Sequence, residues 1–110
     1  MNKIRVLIKE PGKVPRSVWI SPTKENLEKH VGGMIVNTFI SSDVVLISRA
    51  GAEFAGEGLT AQIAHRRYFG TLIFAGADGK GYADLPRSPG AMKKLFPSLW
   101  DEGKADEQTD

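Results

Sequence analysis

The sequence predicts an α+β fold, a small antiparallel or mixed sheet of about six strands with two or three short helices. Three observations predict it. Several short segments are rich in β-branched residues, and residues 3–9 alternate with period two, the pattern of a strand. Helix start and stop signals frame only short stretches. Twelve glycines and six prolines punctuate the 110 residues at short intervals, so no element can be long.

The elements follow in order. In Lys3–Lys9, Ile4, Val6 and Ile8 share one face and Arg5, Leu7 and Lys9 the other, which reads as a strand with one face in the core. Glu10-Pro11-Gly12-Lys13 suits a type II turn, because proline presets its second position and glycine accepts φ > 0 at its third. Residues 16–20 return as a strand with Val18 and Ile20 on the core face, leaving Trp19 on the opposite face in need of a cover. A short helix runs from about Thr23 to Val31, capped either by Ser21 with Pro22 at the first helical position or by Thr23. Leu27 and Val31 are its apolar contacts, and Gly32-Gly33 stops it.

Residues 34–40 read as a third strand, Ser41-Ser42-Asp43 as a turn, and Val44 to Arg49 as a nearly continuous apolar, central strand. Gly51 to Gly58 reads as a loop or a weak hairpin. Residues 59–68 read as a short helix capped at Thr60 or as an irregular crossing segment, with the helix preferred. Thr71 to Ala75 is a strand, Asp78-Gly79 centres a hairpin turn at φ > 0, and Gly81 to Leu85 returns. A last helix from about Pro89 to Phe96 would use Met92, Leu95 and Phe96, with Leu99 and Trp100 as a following apolar patch. The expected organisation is one domain over residues 1–100 and an acidic, disordered tail over residues 101–110.

Composition bounds the function. The chain has no cysteine, which excludes disulfides, thiolate nucleophiles and cysteine-ligated metal and fits a reducing cytoplasm. No apolar run is long enough to span a bilayer, and the alternating start does not resemble a signal peptide, so a soluble cytoplasmic protein without a membrane partner is expected. The last ten residues carry five acidic side chains against Lys104, so residues 1–100 hold a net +6 of the total +2. A basic body is attracted to anions, and its sign excludes a mimic of DNA. A chain this short also gains buried surface by forming a homo-oligomer.

The strand Ile4–Ile8, the Glu10–Lys13 turn, Pro15, Ile20, Leu27, the Val31-Gly32-Gly33 stop and the later Gly70-Thr71 before an apolar strand and hairpin occur in a characteristic order. Over about residues 4–85 the chain thereby resembles the domain of unknown function 3846 family. The resemblance implies a small α+β fold and an origin in bacteriophages or mobile elements. It transfers no activity, and the stretch from Glu53 to Arg67 differs from the acidic-glycine loop and Pro-Asn-Arg-like segment common in that family.

The residues themselves speak against catalysis. Two histidines, His30 and His65, stand without a metal-ligand spacing, no Gly-x-Ser-x-Gly frames a serine, and Gly51–Gly58 lacks the Gly-Lys-Ser/Thr ending of a phosphate loop. No cofactor and no metal are expected. His30 falls in the last turn of its helix, where a cation suits the dipole. The strongest cluster is His65-Arg66-Arg67-Tyr68, which sets up to three positive charges beside two rings. Arginine forks hold phosphate or carboxylate, and rings stack on bases. Arg16, Arg49 and Arg87 could join this cluster if the sheet brings them near. Trp100, Leu99 and Trp19 are the candidates for a protein interface. The expected function is non-enzymatic: an accessory binding protein of a phage or mobile element, a counter-defence inhibitor acting on a host protein. The alternative is an oligomer that sequesters a nucleotide or cyclic-nucleotide signal in basic pockets. Nucleic acid is disfavoured because the basic residues are dispersed over several segments rather than in one stripe.

Overall fold

A computed structural model describes residues 3–100. Strand β1 (Ile4–Lys9) and strand β2 (Arg16–Ile20) form an antiparallel hairpin. At its tip the Lys13 N–H donates to the Glu10 carbonyl at 3.1 Å with Gly12 at φ +74°, the type II turn that the Pro-Gly pair encodes. Helix α1 (Lys24–Val31) is capped by Thr23, not Ser21: the Thr23 hydroxyl accepts from the Asn26 N–H at 3.2 Å. It ends where Gly32, at φ +88°, and Gly33 both donate backbone N–H groups to the Glu28 carbonyl.

Strands β3 (Ile35–Phe39) and β4 (Val44–Arg49) follow, then a 3-10 turn at Ala52–Phe54. Next come β5 (Leu59–Ile63), β6 (Arg66–Phe69), β7 (Leu72–Ala77) and the short β8 (Tyr82–Ala83). Helix α2 (Pro89–Leu95), capped by Ser88 with proline at its start, and a 3-10 turn at Pro97–Trp100 complete the described chain. The main sheet runs β2-β1-β7-β4-β3 with β8 on β7, and β5 and β6 form a separate two-stranded ribbon. Every strand pair among the described residues is antiparallel. The fold is therefore the α+β class, with the antiparallel of the two sheet types.

Three expectations need correction. Residues 59–68 are not a helix. They are most of the β5–β6 hairpin, turned at Ala64 and His65, which sit at φ +52° and +67° between the paired Ile63 and Arg66. Two consecutive left-handed residues make a turn of the type I′ kind, whose hand matches the twist of the strands. Period-two burial of Ala61 and Ile63 on one strand, and of Tyr68 on the other, holds the ribbon on the sheet. Second, β1 is not a one-faced strand. Ile4, Val6 and Ile8 pack with Leu27 and Val31 of α1, while Leu7 packs on the other side of the sheet with Phe74, Met92 and Leu99. The same alternation runs through β4 and β7, so the sheet is covered on both faces and its central strands are apolar throughout. Third, Asp78 does not adopt φ > 0. Its carboxylate accepts from the Lys80 and Gly81 N–H groups instead, and Gly79 takes the left-handed position at φ +86°.

The covers differ in kind. One face carries α1 alone. The other carries the β5–β6 ribbon, α2 and the final 3-10 turn. Leu99 is wholly buried and so is not free to anchor an interface, while Trp100 is half-buried against the same core. Trp19 on the edge strand β2 stays 59 % exposed and finds no cover among the described residues. The expected tail, residues 101–110, lies outside the described residues. Among the described residues no helix is long and apolar enough to cross a membrane.

Candidate anion-binding cleft

The ribbon packs on one face of the sheet with β6 against β4, and this packing builds the site. Along β6, Arg66 shares a face with Tyr68, and Arg67 points to the opposite face, paired across the ribbon with Gln62. Tyr68 turns inward and is buried in the core. The Arg66 guanidinium lies 5.5 Å from the centre of its ring, a cation–π arrangement that holds the arginine over the ribbon. Tyr68 therefore positions an arginine and is not free to stack on a ligand.

Arg66 and Arg67 line a small cleft of about 100 Å³ together with Arg49, Gly51, Glu53 and Val36. Arg49 ends β4, and the chain reverses there through Gly51 at φ +73°. The Arg49 guanidinium pairs with Glu57 at 3.0 Å, both side chains being about one-third exposed. Glu57 also fills the space beside Gly70, where a Cβ would approach its carboxylate to 2.7 Å. Besides the Arg49–Glu57 pair, the charged residues that border the cleft are thus Arg66 and Arg67, on opposite faces of β6, and Glu53. Both arginines are exposed, and among the described residues neither is in an ion pair. The arrangement can hold one small anionic group through charge-assisted hydrogen bonds.

The structure thus brings Arg49, Arg66 and Arg67 together, with Tyr68 beneath them. His65 sits at the ribbon turn and does not line the cleft. Arg16 is engaged elsewhere, with Glu10 at 3.0 Å near the β1–β2 turn. Arg87 pairs with Asp43 at 3.3 Å, at the end of β4 opposite Arg49. The Ser41 hydroxyl, and after it the Arg87 guanidinium, hold the Asp43 carboxyl below its ordinary value of 3.8. His30 sits in the last turn of α1, as its sequence position implies. Nothing local in the sequence links Glu57 to Arg49, so this pair was not legible before the fold was known. No group of three or more potential metal ligands occurs among the described residues.

No curated protein and no solved structure matches the chain. The family model described as Domain of unknown function (DUF3846) matches residues 4–96, from the first strand through the second helix. That span takes in the β1–β2 turn, the glycine stop of α1 and the ribbon that carries the cleft, and the chain belongs to this family.

Proposed function

We propose that the protein is a non-enzymatic binding protein of a phage or mobile element, a counter-defence inhibitor that recognises an acidic side chain of a host protein at Arg66 and Arg67. The mobile-element setting is what the family resemblance implies. The observation that carries the binding reading is the pair of exposed arginines on the ribbon, in no ion pair among the described residues, beside a cleft of about 100 Å³. Pockets that enclose drug-sized ligands span roughly 300–1,000 Å³, so this one suits a single carboxylate or phosphate rather than a whole nucleotide. Its bordering charge among the described residues, two arginines against Glu53 once Arg49 is paired with Glu57, also matches a singly charged group better than a polyphosphate. Both points favour an acidic protein surface over a sequestered nucleotide signal.

The test uses a labelled glutamate-rich peptide, with nucleoside triphosphate and cyclic dinucleotide as competitors. The peptide is expected to bind with salt-sensitive affinity. Alanine at Arg66 or Arg67 should weaken it about tenfold, the scale of one charge-assisted hydrogen bond. The two effects should differ, because the side chains leave opposite faces of the ribbon. Urea unfolding should barely change, since exposed arginines contribute little to stability. Tighter binding of a nucleotide than of the peptide would favour the sequestering alternative. Absence of binding by all three probes would remove the anion site.

A further inference from the structure

We propose that the β3 edge of the sheet pairs with the β3 edge of a second copy of this chain, joining two sheets into one across a two-fold axis at Asn37. Strand β3 is terminal in the sheet, so among the described residues no strand pairs with the outer side of its backbone. Which groups face outward follows from the ladder with β4. The Ala50 N–H donates to the Met34 carbonyl and the Ile40 N–H to the Val44 carbonyl, with Val36 opposite Ser48 and Thr38 opposite Leu46. Hydrogen bonding alternates along an antiparallel strand, so Met34, Val36, Thr38 and Ile40 bond inward. Ile35, Asn37 and Phe39 direct their N–H and C=O groups outward.

Such an edge is ordinarily guarded by charge, proline or a bulge. This one is not. Met34 to Ile40 contains no charged residue and no proline, and Met34 and Phe39 are 72 % and 62 % exposed. The opposite edge, β2, carries Arg16 and is bracketed by Pro15 and Pro22. Among the described residues the main sheet therefore has one open edge and one guarded edge, which closes a dimer rather than propagating a fibre.

The segment is also self-complementary. Antiparallel pairing centred on Asn37 sets Ile35 against Phe39 of the second copy, Val36 against Thr38 and Met34 against Ile40. The outward groups of Ile35, Asn37 and Phe39 then all meet outward groups, so the ladder is satisfied with no offset. On the α1 face Ile35 meets Phe39 on either side of the Asn37 pair, on the other face Val36 meets Thr38 and Met34 meets Ile40, and no like charges oppose. The Asn37 amide oxygen already accepts from the Tyr82 hydroxyl at 2.6 Å, which orients this side chain at the axis. Because the axis is perpendicular to the sheet, both basic clefts lie on one face of the dimer.

Sedimentation equilibrium at high micromolar chain concentration reads the assembly. The wild type is expected at twice the 12.0 kDa chain mass. Asn37→Lys, which sets two ammonium groups against each other at the axis, should sediment as a monomer with an unchanged unfolding midpoint at low concentration. Tyr82→Phe, which removes only the internal hydrogen bond, should remain a dimer. The register has its own test in this cysteine-free chain. Asn37→Cys faces itself across the axis at a Cα separation of about 5.5 Å, within disulfide range, and should cross-link under mild oxidation. Val36→Cys, which faces Thr38, should not. A monomeric wild type, a dimer that survives Asn37→Lys, or equal cross-linking of the two cysteine variants would each overturn the proposal.

Discussion

Gly32 and Gly33 are adjacent but are required for different reasons. Gly32 ends α1 in the left-handed region at φ +88°, with open space where a side chain would project. Its cost on substitution is conformational: Gly32→Val should lower the unfolding free energy by about 1–2 kcal/mol in urea. Gly33 has no left-handed φ, but a Cβ there would lie 2.9 Å from Arg49 Nε. The obstacle is the far part of a flexible side chain, which can move. Gly33→Ala should therefore leave stability within about 0.5 kcal/mol while displacing Arg49 from Glu57 and changing anion binding at the cleft. An equal stability loss in both variants would mean that backbone conformation, not Arg49, governs both positions. The helix stop itself was readable from the glycine pair, whereas Arg49 as its neighbour was not.

The β5–β6 ribbon shows how an element escapes a reading by pattern. Its alternation is present, with Ala61, Ile63 and Tyr68 inward, but Ala64-His65 carries none of the glycine or asparagine that marks a two-residue turn. Without that mark, Thr60 followed by Ala61, Gln62 and Ile63 imitates a capped helix. The strained turn is itself testable. Left-handed backbone costs an alanine roughly 1–2 kcal/mol, and asparagine and glycine much less. The double change Ala64→Asn, His65→Gly should raise the unfolding free energy by about 1 kcal/mol, net of the extra freedom glycine brings to the unfolded chain. A loss of stability would show that His65 makes contacts worth more than the strain. The Asp78 turn differs because an acidic side chain that accepts neighbouring N–H groups leaves a recognisable signature.

Packing on both sides of one sheet makes the chain after α2 part of the core. Leu99 is 0 % exposed and joins Leu7, Phe74 and Met92 beneath the ribbon, about ninety residues from β1 in sequence. Leu99→Ala should cost about 2–5 kcal/mol, the range for a buried leucine that leaves a cavity. Trp19→Ala, on an uncovered edge, should change stability by less than about 0.5 kcal/mol. Urea midpoints at constant m-value check both. A harmless Leu99→Ala would mean that the final turn is only loosely seated.

Local sequence is enough for the fold class, the β1–β2 turn, the glycine stop of α1 and the strands β3, β4 and β7, while the choice of Thr23 over Ser21 as the cap came from the structure. The local features depend on interactions within a few residues: a proline that presets φ, a glycine that accepts the left-handed region, and side chains that alternate along a pleat. It also brought out Arg66 and Arg67, because two adjacent charges are visible without a fold. Long-range packing sets the rest: that Arg49 joins them while Arg16 and Arg87 pair elsewhere, that Tyr68 and Leu99 turn inward, and that β3 stands at the edge of the sheet. Strand order, and which face receives a second cover, are set by burial and hydrogen bonding between segments tens of residues apart. No local pattern encodes them, since the same alternating strand can stand at the centre of a sheet or at its edge.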